Sequence, residues 1–231
     1  MVRTITLILT IAVAGGTSVQ PQGSGAAAVD LQGKLYRSVF SSGSGVLAPA
    51  DVKALPEPLR GRLDTYLARR AAFRANYKSE ADSFEQGRVD AKRRLLEQAI
   101  VSLIDMPGIE KRAADYVATA PINYEWKGLH DGPLEEANHA EAILAKDPSS
   151  PMAAWFCAFI AQRQRVAFET LALQKNDEGM KAAAKKYRTF ADRAVAADDP
   201  IYAALIADME RQPYLYMKGA PNPRDYAIAN R

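Results

Sequence analysis

Histidine is scarce in this chain: His130 and His139 are the only two. Any acid–base or metal chemistry that needs imidazole is therefore confined to one short stretch. Glu135 and His139 are four residues apart, a spacing that puts both on one face of a helix, and His130 lies just upstream beside Asp131. A metal site made of His130, Glu135 and His139 would have ligand types suited to zinc. It would also need His130 to fold back over Glu135, with no His-Glu-x-x-His spacing to assist. A second arrangement is a carboxylate pair, Glu125 with Glu135 or Glu136, which could act as general acid and base in sugar hydrolysis if held about 5 to 9 Å apart. Both arrangements describe a small hydrolase working through residues 119–139.

The same stretch can instead bind without reacting. Residues 119–133 form the longest irregular run inside the helical part of the chain and concentrate Tyr124, Glu125, Trp126, His130 and Asp131. Binding groups are commonly carried on such loops over a rigid scaffold. The competing role for Tyr124 and Trp126 is to plug the end of a helical stack while the charged residues face water. Arg163 joins the candidate binding set because it interrupts an apolar stripe of Phe156, Phe159, Ile160 and Val166. A charge in that stripe needs a carboxylate from the next helix, or from a ligand. Glu141 and Glu169 are the expected partners of Arg163 and Arg165, and Arg165 and Glu169 share one helical face. Cys157, the only cysteine, has no partner for an intrachain disulfide and reads as a packed thiol.

These side chains must be positioned by helices. Apolar residues recur at helical spacing over residues 134–146, 151–173, 179–197 and 201–210, with turns at Asp147-Pro148, residues 174–178 and Asp198-Asp199-Pro200. Ser149 or Ser150 can cap the second of these helices, with Pro151 in its first turn. Upstream, residues 83–104 and 109–118 show the same periodicity, separated by Asp105-Met-Pro-Gly108. The fold class predicted is all-α, as stacked antiparallel helical hairpins.

Ala140-Glu141 to Asp147-Pro148 and Ala191-Asp192 to Asp199-Pro200 echo one another, with one extra residue in the second. Each resembles the end of a tetratricopeptide motif, where a helix of small residues is followed by a proline turn. The resemblance covers residues 134–209 and does not include the motif's early Trp, Leu-Gly and Tyr positions. It implies a short solenoid whose concave groove binds peptides or partner proteins; a divergent helical bundle is the other architecture compatible with the pattern.

The N-terminus carries Arg3, an apolar run from Ile5 to Ala14, and small residues at Ala12, Ala14, Gly15 and Gly16. This predicts a signal peptide over residues 1–16, since the run falls short of the roughly 20 residues that cross a bilayer. A Gly/Ser/Ala-rich arm over 17–50 precedes a single helical domain, 51–231: N-terminal hairpins at 51–118, the loop at 119–133, repeat-like hairpins at 134–212 and a tail at 213–231. The expected compartment is periplasmic or secreted, without stable membrane insertion once the leader is cleaved. Net charge is only +3, with basic and acidic residues interspersed, so nucleic acid is not an expected partner. The function expected is binding of a peptide, protein or cell-envelope component, with no cofactor.

Overall fold

The computed structural model describes residues 108–122, 126–197 and 199–229, with isolated positions between 53 and 95. The leader, the arm, most of the 51–107 hairpins, and the candidate site residues Tyr124 and Glu125 lie outside the described residues. Among the described residues the regular structure is entirely helical: α1 (Ile109–Thr119), α2 (Asp131–Lys146), α3 (Ala153–Leu173), α4 (Asp177–Val195), α5 (Pro200–Arg211) and α6 (Pro223–Ala229). The all-α class read from periodicity is what is found.

α3 is the axis of the assembly. Residues Trp155 to Ala161 and Gln164 to Leu171 are buried without interruption, so this helix has no solvent face over most of its length. A helix apolar nearly all round must be surrounded. α2 and α4 flank it, α5 also packs against it, and α6 packs against α4. The flanking helices approach through small side chains, Ala137 and Ala140 on α2 and Ala183, Ala184, Ala191 and Ala194 on α4. Large residues of α3 fill the space: Trp155, Phe156 and Phe159 join Tyr116 of α1 in an aromatic cluster with ring centroids 4.9 to 6.3 Å from Tyr116. Edge-to-face pairs of this kind add to the area they bury.

The connections follow from local chemistry. At the end of α3, Asn176 donates its amide to Leu171 O and Lys175 donates to Ala172 O, the paired bonds that close a helix when the next residue is left-handed. That left-handed residue is Lys175, φ 56°. Asn176 then starts α4, its side-chain oxygen accepting from Gly179 N at 2.9 Å. Ahead of α3, Ser150 Oγ accepts from Met152 N at 3.3 Å within the preceding turn; Met152 is the N-cap and no side chain caps the helix, so the cap expected of Ser149 or Ser150 does not form. α2 begins at Asp131, three residues before the expected start. Pro133 then sits third in the helix, where its missing N–H costs nothing because the first four amides have no helical acceptor.

Two of the three tyrosines buried among the described residues, Tyr187 and Tyr116, have phenols that the core holds neutral to higher pH. Burial pushes the Tyr187 phenol up from 10.0 to about 12, assisted by Glu210 and opposed by Arg165 and Arg224. Burial also raises Tyr116, with Arg163 opposing and Glu136 assisting. In the unfolded chain both ionise near pH 10, whereas the folded protein keeps them protonated. Their contribution is complete below pH 10 and is lost as pH rises through the folded values. Urea unfolding is expected to show level stability up to about pH 10 and then a fall approaching 1.4 kcal/mol per pH unit for each phenol. A flat profile to pH 11.5 would show that neither phenol is held neutral.

Candidate functional site

Glu136 organises the region where the candidate residues meet. It lies one position before Ala137 within the buried stripe Pro133, Glu136, Ala137, Ala140 and Leu144 of α2, and its side chain is 1 % exposed. A carboxylate so placed must be satisfied internally. Oε2 accepts from Arg163 Nε of α3 at 2.6 Å, and Oε1 accepts from Trp126 Nε1 at 3.0 Å. The Arg163 guanidinium, its side chain 13 % exposed, lies over the Phe159 ring at 4.3 Å and the Trp126 ring at 5.1 Å. Arg163 was expected to draw its carboxylate from the next helix; it comes from the preceding one. Glu141 pairs with Lys186 of α4 at 2.6 Å rather than with an arginine. The Arg165–Glu169 pair forms as expected, Nε to Oε1 at 3.2 Å.

Trp126 opens a tight turn. Leu129 N donates to Trp126 O at 2.8 Å, and the two residues between, Lys127 and Gly128, have φ of 49° and 72°. Positive φ at both central positions suits Gly128 and strains Lys127. The turn is pinned on its far side, where Gly128 N donates to the Tyr216 hydroxyl at 2.9 Å and the Trp126 and Tyr216 rings meet edge-on at 5.4 Å. Leu129 is left 52 % exposed at the tip.

Gly132 makes room for the indole. A Cβ at that position would lie 2.6 Å from Trp126 Cδ1, closer than real contacts allow. Gly132→Ala is therefore expected to displace Trp126 from Glu136, at a cost of about 1–3 kcal/mol. The chain has two tryptophans, so the readout is one of two indole N–H resonances, which should move toward its solvent-exposed position. An unmoved pair would mean that the α2 start yields instead.

The proposed metal ligands are not gathered. His139 Nε2 lies 3.2 Å from Thr119 Oγ1, with its ring 5.7 Å from that of Tyr116. Burial and then the nearby Lys146 charge lower its pKa, which favours the neutral ring. His130 Nε2 lies 3.4 Å from Asp131 Oδ1, and its Nδ1 is buried without a hydrogen-bond partner. Glu135 is exposed on α2. Among the described residues, no group of three or more His, Cys, Asp and Glu side chains is placed to hold a metal ion. Of the carboxylate pair, Glu136 is bonded by Trp126 and Arg163, Glu135 faces outward, and Glu125 is outside the described residues.

Of the candidate binding residues, Trp126 and Arg163 are brought together, and His130 begins the helix that carries Glu136, its carbonyl accepting from Leu134 N. Tyr216 and Glu136 were not singled out as binding residues. A signal for Glu136 existed, since a charge inside the stripe of α2 marks a buried pair just as Arg163 does on α3. Tyr216 carried none, because it reaches Trp126 through a chain reversal 88 residues from its hydrogen-bond partner Gly128.

The C-terminal segment supplies the other side of this region. After α5, residues 212–222 run back across α3. Glu169, fully enclosed, accepts from the main-chain amides of Leu215, Tyr216 and Met217 at 2.8, 2.8 and 2.9 Å. Arg165 donates to Glu169 and also to Gln212 O. Beyond this strap, Arg224 bonds Glu210 at 2.6 Å and Asp192 at 2.8 Å, and Tyr226 packs on Phe168. The tail expected over the last helix thus reaches α5 through Arg224 and continues to α3 and α4.

Comparison with known proteins finds no match: no family model fits the chain, and no curated protein or solved structure is significantly similar to it.

Proposed function

We propose that this chain is an exported helical-hairpin protein that binds a peptide, protein or cell-envelope component at the edge where the Trp126 turn meets the C-terminal strap, and that it performs no catalysis. The observation that carries this reading is the state of Glu136. A carboxylate 1 % exposed and bonded by both an indole and a guanidinium cannot exchange protons with a substrate, but it can hold a turn still. The turn it holds offers Leu129, 52 % exposed, and the adjacent strap offers Tyr214, 39 % exposed. Exposed aliphatic and aromatic side chains on a fixed frame suit recognition of an apolar segment. The paired Asp-Pro hairpins, similar to the end of a tetratricopeptide motif, support a binding module of that general type. The leader pattern in residues 1–16 supports export. No described helix is long and apolar enough to cross a membrane.

The test is selection of a random peptide library on the mature protein, followed by titration of the enriched peptides. Leu129→Asp is expected to weaken binding at least tenfold, while Glu135→Ala and His139→Ala leave it unchanged. Absence of saturable binding, or indifference to Leu129→Asp, would overturn the proposal. Stoichiometric zinc in the purified protein, lost in both Glu135→Ala and His139→Ala, would transfer the assignment to a hydrolase.

A further inference from the structure

The strap over residues 212–222 is held through its main chain. Its three hydrogen bonds to Glu169 come from consecutive main-chain amides, so Glu169 recognises the path of the backbone and not the residues that follow it. Two side chains add to this grip: Leu215 packs against the main core, and Tyr216 seats on Trp126 and accepts from Gly128. Much of the remainder is open to solvent. Pro213, Tyr214, Lys218 and Gly219 are exposed, and Leu215, Tyr216 and Met217 are only half-buried. A bent segment laid over a helical body, its successive amides converging on one carboxylate and reinforced by an aliphatic-aromatic pair, has the chemistry of a bound peptide.

Resting on the binding role proposed above, we infer that the strap is a built-in occupant of the binding groove. It opens locally, and a partner protein's segment that adopts the same bend takes its place, giving three successive amides to Glu169 and an aromatic ring to Trp126. The groove is then defined at one end by Trp126 and Arg163 and along its floor by Glu169. The strap's own sequence states the recognised chemistry, an aliphatic residue followed by an aromatic one at a bend of the chain. Because the strap is tethered, it competes at a high effective concentration. The groove therefore stays closed to weak ligands.

Two measurements on the full-length mature chain decide this. Amide exchange followed by NMR in the wild-type protein is expected to show Leu215, Tyr216 and Met217 exchanging at least 100-fold faster than Phe168 and Leu171 within α3, because the strap opens without global unfolding. Equal rates would overturn the proposal. In the second, a fluorescent peptide with the sequence of residues 212–222 is titrated against wild type and against Leu215→Ala, whose own strap is weakened. The variant is expected to bind the peptide at least tenfold more tightly than wild type. A peptide N-methylated at the three positions corresponding to Leu215, Tyr216 and Met217 is expected not to bind. No gain in the variant, or equal binding of the methylated peptide, would overturn the exchange; if the variant does not fold, the wild-type exchange rates decide alone. Failure here leaves library binding through Leu129 intact, whereas strap exchange without any effect of Leu129→Asp would remove the turn from the binding face.

Discussion

Replacing Glu169 with alanine is expected to lower the unfolding free energy by about 3–5 kcal/mol, the range found when one member of a buried ion pair is removed. For a domain of this size, that corresponds to a fall in Tm on the order of 10 °C. The carboxylate is enclosed and has four partners, so the variant strands the Arg165 guanidinium and three strap amides at once. The usual remedy for a broken buried pair, replacing both charges with apolar residues, should not restore stability here. Removing Arg165 as well leaves the amides of Leu215, Tyr216 and Met217 without an acceptor. The control is Glu141→Ala, which removes the ion pair to Lys186 from a site where both side chains are more than a third exposed. Screening leaves such a pair worth less than about 1 kcal/mol. Chemical denaturation of the two variants separates the cases, and costs within about 0.5 kcal/mol of one another would refute the anchoring role of Glu169.

Glu136→Ala is expected to cost about 2–3 kcal/mol, somewhat less than Glu169→Ala because Arg163 retains a small exposed area through which water can reach it. The loss has a local signature. With Oε1 gone, the Trp126 indole N–H has no acceptor and the turn at Lys127-Gly128 loses its inner support. One of the two indole resonances should shift and broaden while that of Trp155, buried in α3, stays in place. Glu135→Ala, one residue away on the exposed side of α2, should cost less than about 0.5 kcal/mol and move neither resonance. Equal effects from neighbouring positions would mean that Glu136 contributes only helix propensity.

The hairpins were legible because their signals are local. Apolar spacing and Asp-Pro turns lie within a few residues of the boundaries they set, and α3, α4 and α5 begin and end within two residues of the expected positions. α2 starts three residues ahead of the expected position because its first turn, Asp131-Gly132-Pro133, precedes the apolar spacing that marks the helix in sequence. Arg165 and Glu169 could be paired from sequence since they are one helical turn apart. Arg163 and Glu136 could not, because choosing between carboxylates on the preceding and following helices depends on which face of α3 each helix covers. The role of the strap was hidden for a different reason. Its main contacts use backbone amides, which every residue but proline possesses, and so leave no mark in residue type.

The distance along the chain between Glu169 and its strap also governs the order in which the protein can be completed. The accepting carboxylate precedes its three amide donors by 46, 47 and 48 residues. At a synthesis rate of about 5–20 residues per second, α3 exists for several seconds before the strap has been made. Throughout that interval α3, buried over most of its length, carries an ion pair whose carboxylate still lacks the amides of residues 215–217. Maturation is thereby made sequential: the hairpins can assemble as they emerge, but the Glu169 carboxylate is enclosed only once residues 215–217 arrive, so a chain interrupted after α5 would lack both α6 and this closure.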